Sequence, residues 1–251
     1  MSQSRICVLS GRYPASRFAS IYNHRAYCNQ HGYAYIHCNW PTGQANPYLN
    51  KLAYIQEYID AFDMLFWIDD DAFFLNIDKP LTEFIPPDDH YLSICASPGF
   101  KSLKTFFSSG QFVLRCNAVG KDFIRSAMEL SEQTVKDWWS EEYGFFTGGD
   151  QDRMVYLCNT DDRFKDGYQL WDYKHFNSRA ANVFGEDPHD IFILHFTGRK
   201  RKKAGDYARV QKQLQRGPSL LTKPQEASLR LVDPFLTRAI RYAKSRIKAR
   251  V

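Results

Sequence analysis

The chain has 251 residues, 44% hydrophobic and 16% aromatic, so it can bury a sizeable core, and disorder of the whole chain is excluded. No run of about 18 apolar residues occurs, which speaks against a transmembrane helix, and the opening MSQSRICVLSGRYP lacks the long apolar stretch of a secretory leader. The net charge of +5 conceals an asymmetry: residues 199–251 hold 16 Lys/Arg against 3 Asp/Glu, a surplus of 13, which leaves residues 1–198 at −8. An acidic body with a basic tail implies an anionic partner for the tail. The six cysteines are scattered and form no Cys-x-x-Cys pair, which argues against a zinc knuckle or a disulfide scaffold and for a reducing, cytoplasmic setting.

In chain order, Arg5–Ser10 reads as an opening strand followed by a Gly-Arg turn. Ala15–His31 reads as a helix with Phe18, Ile21, Tyr22 and Arg25 along one side and Gly32 as its stop. YAYIHC is the next strand, which completes the start of a βαβ unit. NPYLNKLAYIQEYIDAF is a second helix, its apolar face made of Leu49, Leu52, Ile55, Tyr58 and Ile59. MLFWI is a continuous apolar run of the kind found in a strand covered on both faces. YLSICAS and GQFVLRC are further strands, VGKDFIRSAMELSEQTVKDWW is one helix, and DIFILHF is a late strand. This alternation predicts an α/β fold with a mostly parallel central sheet flanked by helices and some mixed strands.

The apolar strand at 64–68 runs into Asp69, Asp70 and Asp71. Ligands of open α/β sheets bind at the carboxyl ends of the strands. Alternation along an extended segment places Asp69 and Asp71 on one side and Asp70 on the other. Two carboxylates on one side suit a hard divalent cation, Mg²⁺ or Mn²⁺, which can bridge the phosphates of a nucleotide. The competing structural reading is a solvated strand end. A P-loop enzyme would need G-x-x-x-x-G-K-[ST], which is absent, and Phe73 speaks against a phosphoaspartate enzyme.

FWIDDDAFF resembles the Asp-x-Asp motif of GT-A glycosyltransferases. NHRAYCNQHGYAYIH is similar to the Asn-Lys-x-x-Tyr-x-x-x-His-Gly-Tyr segment of retaining α-galactosyl-, α-xylosyl- and α-mannosyltransferases, the xyloglucan xylosyltransferases and galactomannan galactosyltransferases among them. His24 stands in the usual Lys position. YLNKLAYIQEYI resembles that family's Trp-x-Lys helix, with Lys51 as the lysine. SSGQFVLRCNAVGKDFI resembles its Asn-x-Gly-x-Phe-x-Ile-Arg-Asn strand, GGDQDRMVYL its Asp-Gln-Asp helix start, and ILHFTGRK its His-Phe-x-Gly-Cys closure, with Arg199 in place of Cys. The ordered set covers roughly residues 5–200 and suggests a bacterial relative. The glycogenin-like and lipopolysaccharide galactosyltransferases, a second GT-A group, share the Asp-x-Asp strand and a late His-x-x-Gly.

The resemblance implies a Rossmann-like GT-A domain over 1–198 and a basic helical extension over 199–251. It implies metal binding by Asp69, Asp71 and His195, with Mn²⁺ or Mg²⁺ as cofactor. Neutral imidazole is a good ligand for Mn²⁺. Asp150 and Gln151 would contact the donor sugar or the acceptor hydroxyl; Asp150 and Asp152 are possible nucleophiles, and front-face attack is the other route to retention. Ser10, Gly11 and Arg12 would meet the base and ribose, Lys51 and Asp70 would face the nucleotide, and Gly198 would let the backbone approach the diphosphate. Lys200 to Lys203 screen phosphate charge or are a solvated run. The loop 108–110 is a candidate sugar contact. Trp138, Trp139, Phe145 and Phe146 are an acceptor platform or core. Each site position has its rival in ordinary loop chemistry, and Asp150 equally suits a helix cap.

DPFLTRAIRYAKSRIKARV places Phe235, Ala239, Ile240, Ala243 and Ile247 at helical spacing among basic residues. Such a helix over 234–251 either lies on an anionic membrane surface or docks on the acidic body; nucleic acid is the less favoured partner, since no motif supports it. The reading is a metal-dependent retaining transferase that moves a sugar from a nucleotide sugar, UDP-linked, to a glycan or lipid-linked glycan such as lipopolysaccharide or capsule, peripheral on the inner face of the membrane. The alternative from another class is a non-catalytic binding protein held to membrane or nucleic acid by its tail.

Overall fold

The computed structural model describes residues 4–99 and 106–229. The expected tail helix over 234–251 lies outside the described residues. The described elements are β1 (Ile6–Gly11), α1 (Ser20–His31), β2 (Ala34–Cys38), α2 (Asn50–Tyr58), β3 (Met64–Asp69), β4 (Ala72–Phe74), β5 (Leu92–Ala96), β6 (Phe107–Arg115), α3 (Ala118–Glu129), α4 (Glu132–Trp138), α5 (Asp150–Thr160), β7 (Tyr168–Trp171), α6 (Ala180–Val183), β8 (Ile193–His195), α7 (Lys200–Leu214) and α8 (Lys223–Ser228).

The central sheet has the order β2-β1-β3-β6-β5-β7. β1 pairs in parallel with β2 and with β3, and β5 with β7, while β6 runs antiparallel to both β3 and β5. The mostly parallel α/β sheet with a mixed part is as the sequence predicts. Met64 to Ile68 are buried, as an apolar run at the middle of a sheet requires. Two strands depart from expectation. β7 lacks a long apolar run and was not anticipated. Within DIFILHF, only Ile193–His195 forms a strand, and it pairs with β4 in a separate two-stranded sheet, with Ala72 opposite His195.

α1 begins at Ser20 rather than Ala15, and it buries a different face from the one expected. Ile21, Tyr22 and Arg25 are exposed, whereas Asn23, His24, Tyr27 and Cys28 are buried. The inner face is polar because it serves the backbone of β4. Asn23 Nδ2 donates to the Phe74 and Ser219 carbonyls, Asn23 Oδ1 accepts from the Phe74 N–H at 2.7 Å, and His24 Nε2 faces the Ala72 carbonyl at 2.8 Å. A two-stranded sheet leaves edge groups unpaired, and these side chains supply the missing partners. Gly32 ends the helix at φ 69°, where the left-handed conformation favours glycine.

α2 follows the pattern expected of it: Leu49, Leu52, Ile55 and Ile59 are buried, with Tyr58 packed against the core. The long helix expected at 119–139 is two, α3 and α4, because Ser131 Oγ accepts from the Thr134 N–H and starts a new helix. Beyond residue 198 the chain continues on the body. Val210 and Leu220 are buried in a small core with Phe73, Leu194 and Phe196, and Tyr207 and Leu214 pack against it. No helix among the described residues is long and apolar enough to cross a membrane.

Candidate functional site

Asp69 closes β3, and residues 70–71 turn the chain into β4. The turn separates the three carboxylates. Asp69 and Asp71 face His195 Nε2 at 3.8 and 3.2 Å, while Asp70 turns toward Arg12, 3.8 Å away. One ligand atom each from Asp69, Asp71 and His195 lie within 4.8 Å of one another. Two carboxylates and an imidazole form a donor set for a divalent cation of the Mg²⁺/Mn²⁺ kind. Gly110 shows how closely this cluster is built: a Cβ there would stand 2.4 Å from His195 Cε1 and 3.3 Å from Asp69 Oδ2. Residues 108–110, expected as a loop, lie within β6, and the small residue at 110 makes room for His195 and Asp69.

The carboxylates and the imidazole are held from behind. Trp67 Nε1 donates to Asp69 Oδ1 at 2.8 Å. Lys203, on the first turn of α7, is ion-paired with Asp71 Oδ2. Burial alone would raise the Asp71 pKa, but His195 and Lys203 outweigh it and hold the carboxyl well below its ordinary range. Burial lowers the His195 pKa against the opposing hydrogen bond and charge of Asp71, toward the neutral form that ligates metal. Burial and the neighbouring Asp71 charge push Asp70 up to about 7.

Asp69, Asp71 and His195 line a cleft of about 880 Å³ at the ends of the strands. Gly11, Arg12, Lys51, Asp70, Asp150, Gln151 and Gly198 line it too. Ser10 is fully buried within β1 and is not part of the cleft wall. Gly11 is required by a close approach, since a Cβ would meet the Cys38 carbonyl at 2.4 Å. Gly198 adopts φ 96° just before α7.

Lys51 is the cross-tie of the floor. Its Nζ stands 3.3 Å from Asp69 and 2.8 Å from Asp150, and donates to the Ser109 carbonyl at 2.8 Å. Burial works to lower its pKa, but Asp150 and Asp69 outweigh that and raise it. Gln151 Oε1 accepts from the Ser109 N–H at 3.3 Å. Asp150 does not cap α5; Gly149 occupies the cap position. Asp152, a possible nucleophile by sequence, faces away. Its Oδ2 accepts from the Thr147 N–H and hydroxyl and from the Gly148 N–H, so it shapes the loop that presents Asp150.

Of the basic run, Lys203 and Lys202 line the cleft, Lys202 also pairing with Asp206, while Lys200 and Arg201 are exposed. Trp138 and Trp139 pack against the core, and Phe145 is exposed away from the cleft lining. Sequence reasoning missed Asn177 and Arg179, which stand behind His195, and Tyr13 and Tyr48 at the cleft wall. No motif spacing marks them; Asn177 and Arg179 reach the site through the loop between β7 and α6, whose position depends on tertiary packing.

Residues 11–92, about a third of the chain, match the model of the galactosyl transferase GMA12/MNN10 family. No curated protein sequence matches the chain. Among solved structures it is similar to a glycosyltransferase involved in the glycosylation of the major capsid of PBCV-1, at 16% identity and a TM-score of 0.57, over 80% of this chain and 98% of that one. It is similar to the apo structure of the bifunctional glycosyltransferase WbbM at 11% identity and a TM-score of 0.50, over 91% of this chain and 51% of that one, so it spans about half of that protein. It is also similar to Drosophila β1,4-galactosyltransferase 7 in complex with manganese, UDP-Gal and xylobiose, at 14% identity and a TM-score of 0.43, over 79% and 74% of the two chains. That last likeness is too slight to carry a role across. The fold is that of GT-A glycosyltransferases, and with the family match the chain is an enzyme of the glycosyltransferase class.

Proposed function

We propose that the chain transfers a sugar from a nucleotide sugar, UDP-linked, to a glycan acceptor, with a divalent cation held by Asp69, Asp71 and His195. The observation that carries this reading is the convergence of those three side chains in a large cleft at the strand ends of a GT-A fold. When bound, the cation, Mn²⁺ or Mg²⁺, supplies Lewis-acid stabilisation of the leaving diphosphate. The chain's own residues do the rest. Lys203 and Lys202 add positive charge on the α7 side, and Gly198 leaves room for close backbone approach. Asp150, fixed by Lys51, presents a carboxylate to the cleft where positive charge develops at the anomeric carbon, and Gln151 lines the wall beside it. Gln151 is no nucleophile and Asp150 is tied to a cation, which favours front-face attack with retention over double displacement. The basic segment 234–251 would bring a lipid-linked acceptor to the cleft.

Isothermal titration of the protein with UDP, with and without Mn²⁺ and beside Asp71→Ala, tests the reading. The expected result is UDP binding that requires Mn²⁺ and disappears in the variant. Binding of UDP that is indifferent both to Mn²⁺ and to Asp71→Ala would overturn the metal assignment. Failure of UDP, GDP and other nucleotides under every metal condition would overturn the donor assignment.

A further inference from the structure

His195 has two ring nitrogens, and only one can serve the cleft. Nε2 faces Asp71 and Asp69. Nδ1 lies 3.0 Å from Asn177 Oδ1, in a fully buried position. Arg179 Nη1 donates to that same Oδ1 and, at 2.7 Å, to the Asn177 carbonyl. A guanidinium has only donors, so the Asn177 atom that meets it is the oxygen and not the amide nitrogen. The ring nitrogen facing an oxygen already engaged by Arg179 must therefore be a donor, Nδ1–H. In the neutral ring, the form that ligates metal, Nε2 is then left with its lone pair on the side of the two carboxylates. The 3.4 Å approach of Arg179 Nη1 to Nδ1 is then a contact and not a hydrogen bond, because Nδ1 has no lone pair to give.

Arg179 has a second property. Its side-chain hydrogen bonds to described residues run through Nη1, its main-chain N–H donates to Asn182 Oδ1, and none of the described carboxylates lies within ion-pair distance of the guanidinium. It is half-buried, and it forms part of the cleft wall. Charges removed from water are normally paired. A guanidinium with one edge committed to the protein and the other unclaimed at a cleft wall is a donor fork for an oxyanion.

We propose that Asn177 and Arg179 act as one unit behind the metal ligand: Asn177 fixes His195 in the Nδ1–H tautomer so that Nε2 ligates, and Arg179 locks Asn177 and offers its free edge to the phosphate oxygens of the nucleotide diphosphate on that metal. The proposal rests on the metal reading above and adds two residues to it. Asn177 and Arg179 are positioning residues toward His195, and Arg179 is also a ligand contact. Groups that orient a metal-bound imidazole typically change affinity by roughly 10- to 100-fold when removed.

The test uses the full chain and reads binding rather than turnover. Mn²⁺ is titrated in the presence of UDP into wild type, Asn177→Leu and Asn177→Asp. Asn177→Leu should weaken Mn²⁺ binding by roughly 10- to 100-fold, while Asn177→Asp, which keeps the acceptor, should stay within a few-fold of wild type. Arg179→Met should weaken both UDP and inorganic pyrophosphate in saturating Mn²⁺, by roughly tenfold or more, the loss of a charge-assisted hydrogen bond. A long-range ¹H–¹⁵N spectrum of the metal-free wild type should show His195 protonated on Nδ1. Thermal unfolding of each variant separates misfolding from lost ligation. Unchanged Mn²⁺ affinity in a folded Asn177→Leu, or an Nε2–H His195 in the wild type, overturns the unit while leaving the metal site standing. Unchanged pyrophosphate affinity in Arg179→Met overturns the oxyanion role. A wild type that binds no Mn²⁺ overturns the metal reading itself.

Discussion

The cleft has two walls of different origin. The early wall comes from residues 11–71: Gly11 and Arg12 at the end of β1, Lys51 on α2, and the three aspartates that close and follow β3. The late wall comes from residues 177–206: Asn177, Arg179, His195, Gly198 and Lys203, carried by loops, a three-residue strand and the first turn of α7. The early wall is rooted in the parallel part of the central sheet, where Gly11 is in register with Asp69. The late wall hangs on the small core of Phe73, Phe196, Val210 and their neighbours. A strand end in a parallel sheet positions its residues by local geometry alone. The late wall reaches Asp69 and Asp71 because β4 and β8 pair, with Ala72 opposite His195, and α1 holds β4 in place.

That difference decides what was legible. Asp69 and Asp71 are readable because an apolar strand followed by acids has few meanings in an α/β fold. His195 and Gly198 are readable only through a resemblance, and Lys203 only as one member of a basic run. Asn177 and Arg179 are not readable at all. The expectation for α1 failed for a related reason. Apolar periodicity assumes that a helix's inner face meets side chains, whereas this one meets the backbone of β4 through Asn23 and His24. Polar residues on the inner face then look, in sequence, like the outer face.

The largest effect on activity is expected where the two walls touch. Gly110 stands between His195 and Asp69, so Gly110→Ala should displace one of them. Misplacement of about 1 Å at a reacting centre costs roughly 100-fold in rate. Sugar transfer should fall by about that factor with the circular dichroism spectrum unchanged. Gly185→Ala, where a Cβ would meet nothing within 4 Å, should have no effect. Equal loss in both variants would mean that the contact between the walls is not what sets activity.

A second break is confined to the early wall. Lys51→Met removes the cation shared by Asp150 and Asp69. Removal of one partner from a buried ion pair typically costs about 3–5 kcal/mol. Chemical denaturation should show destabilisation of that order, reduced when Asp150→Asn is added, because the uncompensated charge is then gone. An additive double variant would show that Lys51 and Asp150 are not energetically coupled.

The joint between β4 and α1 gives a smaller effect. Asn23 makes three hydrogen bonds to main-chain groups of Phe74 and Ser219. Asn23→Leu leaves the buried Phe74 N–H and carbonyl without those partners, which should cost about 1–3 kcal/mol. Because β4 pairs with β8, the variant should also weaken Mn²⁺ binding, whereas an equally destabilising change in the core of α3, such as Phe123→Leu, should not. Equal metal affinity in the two variants would separate the late wall from α1.

The smallest effect is visible only as a slope. Burial lowers the His24 pKa to about 3, although the Ala72 carbonyl it bonds works in the opposite direction. In the unfolded chain the ring titrates near 6.5. Below pH 6.5 the unfolded state therefore binds a proton that the folded state refuses, so stability is full above that pH and falls as pH drops toward 3. The loss from this one group approaches about 1.4 kcal/mol per pH unit. His24→Gln keeps a donor for the Ala72 carbonyl but cannot titrate in this range. Between pH 6 and 4.5 its unfolding free energy should fall less steeply than that of the wild type, by close to one proton's worth, while at pH 8 the two differ only by the altered packing. Burial lowers the His195 pKa too, so acid destabilisation persists in the variant with a reduced slope. Parallel slopes in the two proteins would mean that His24 is protonated in the folded state, and that the polar face of α1 meets β4 through a charge.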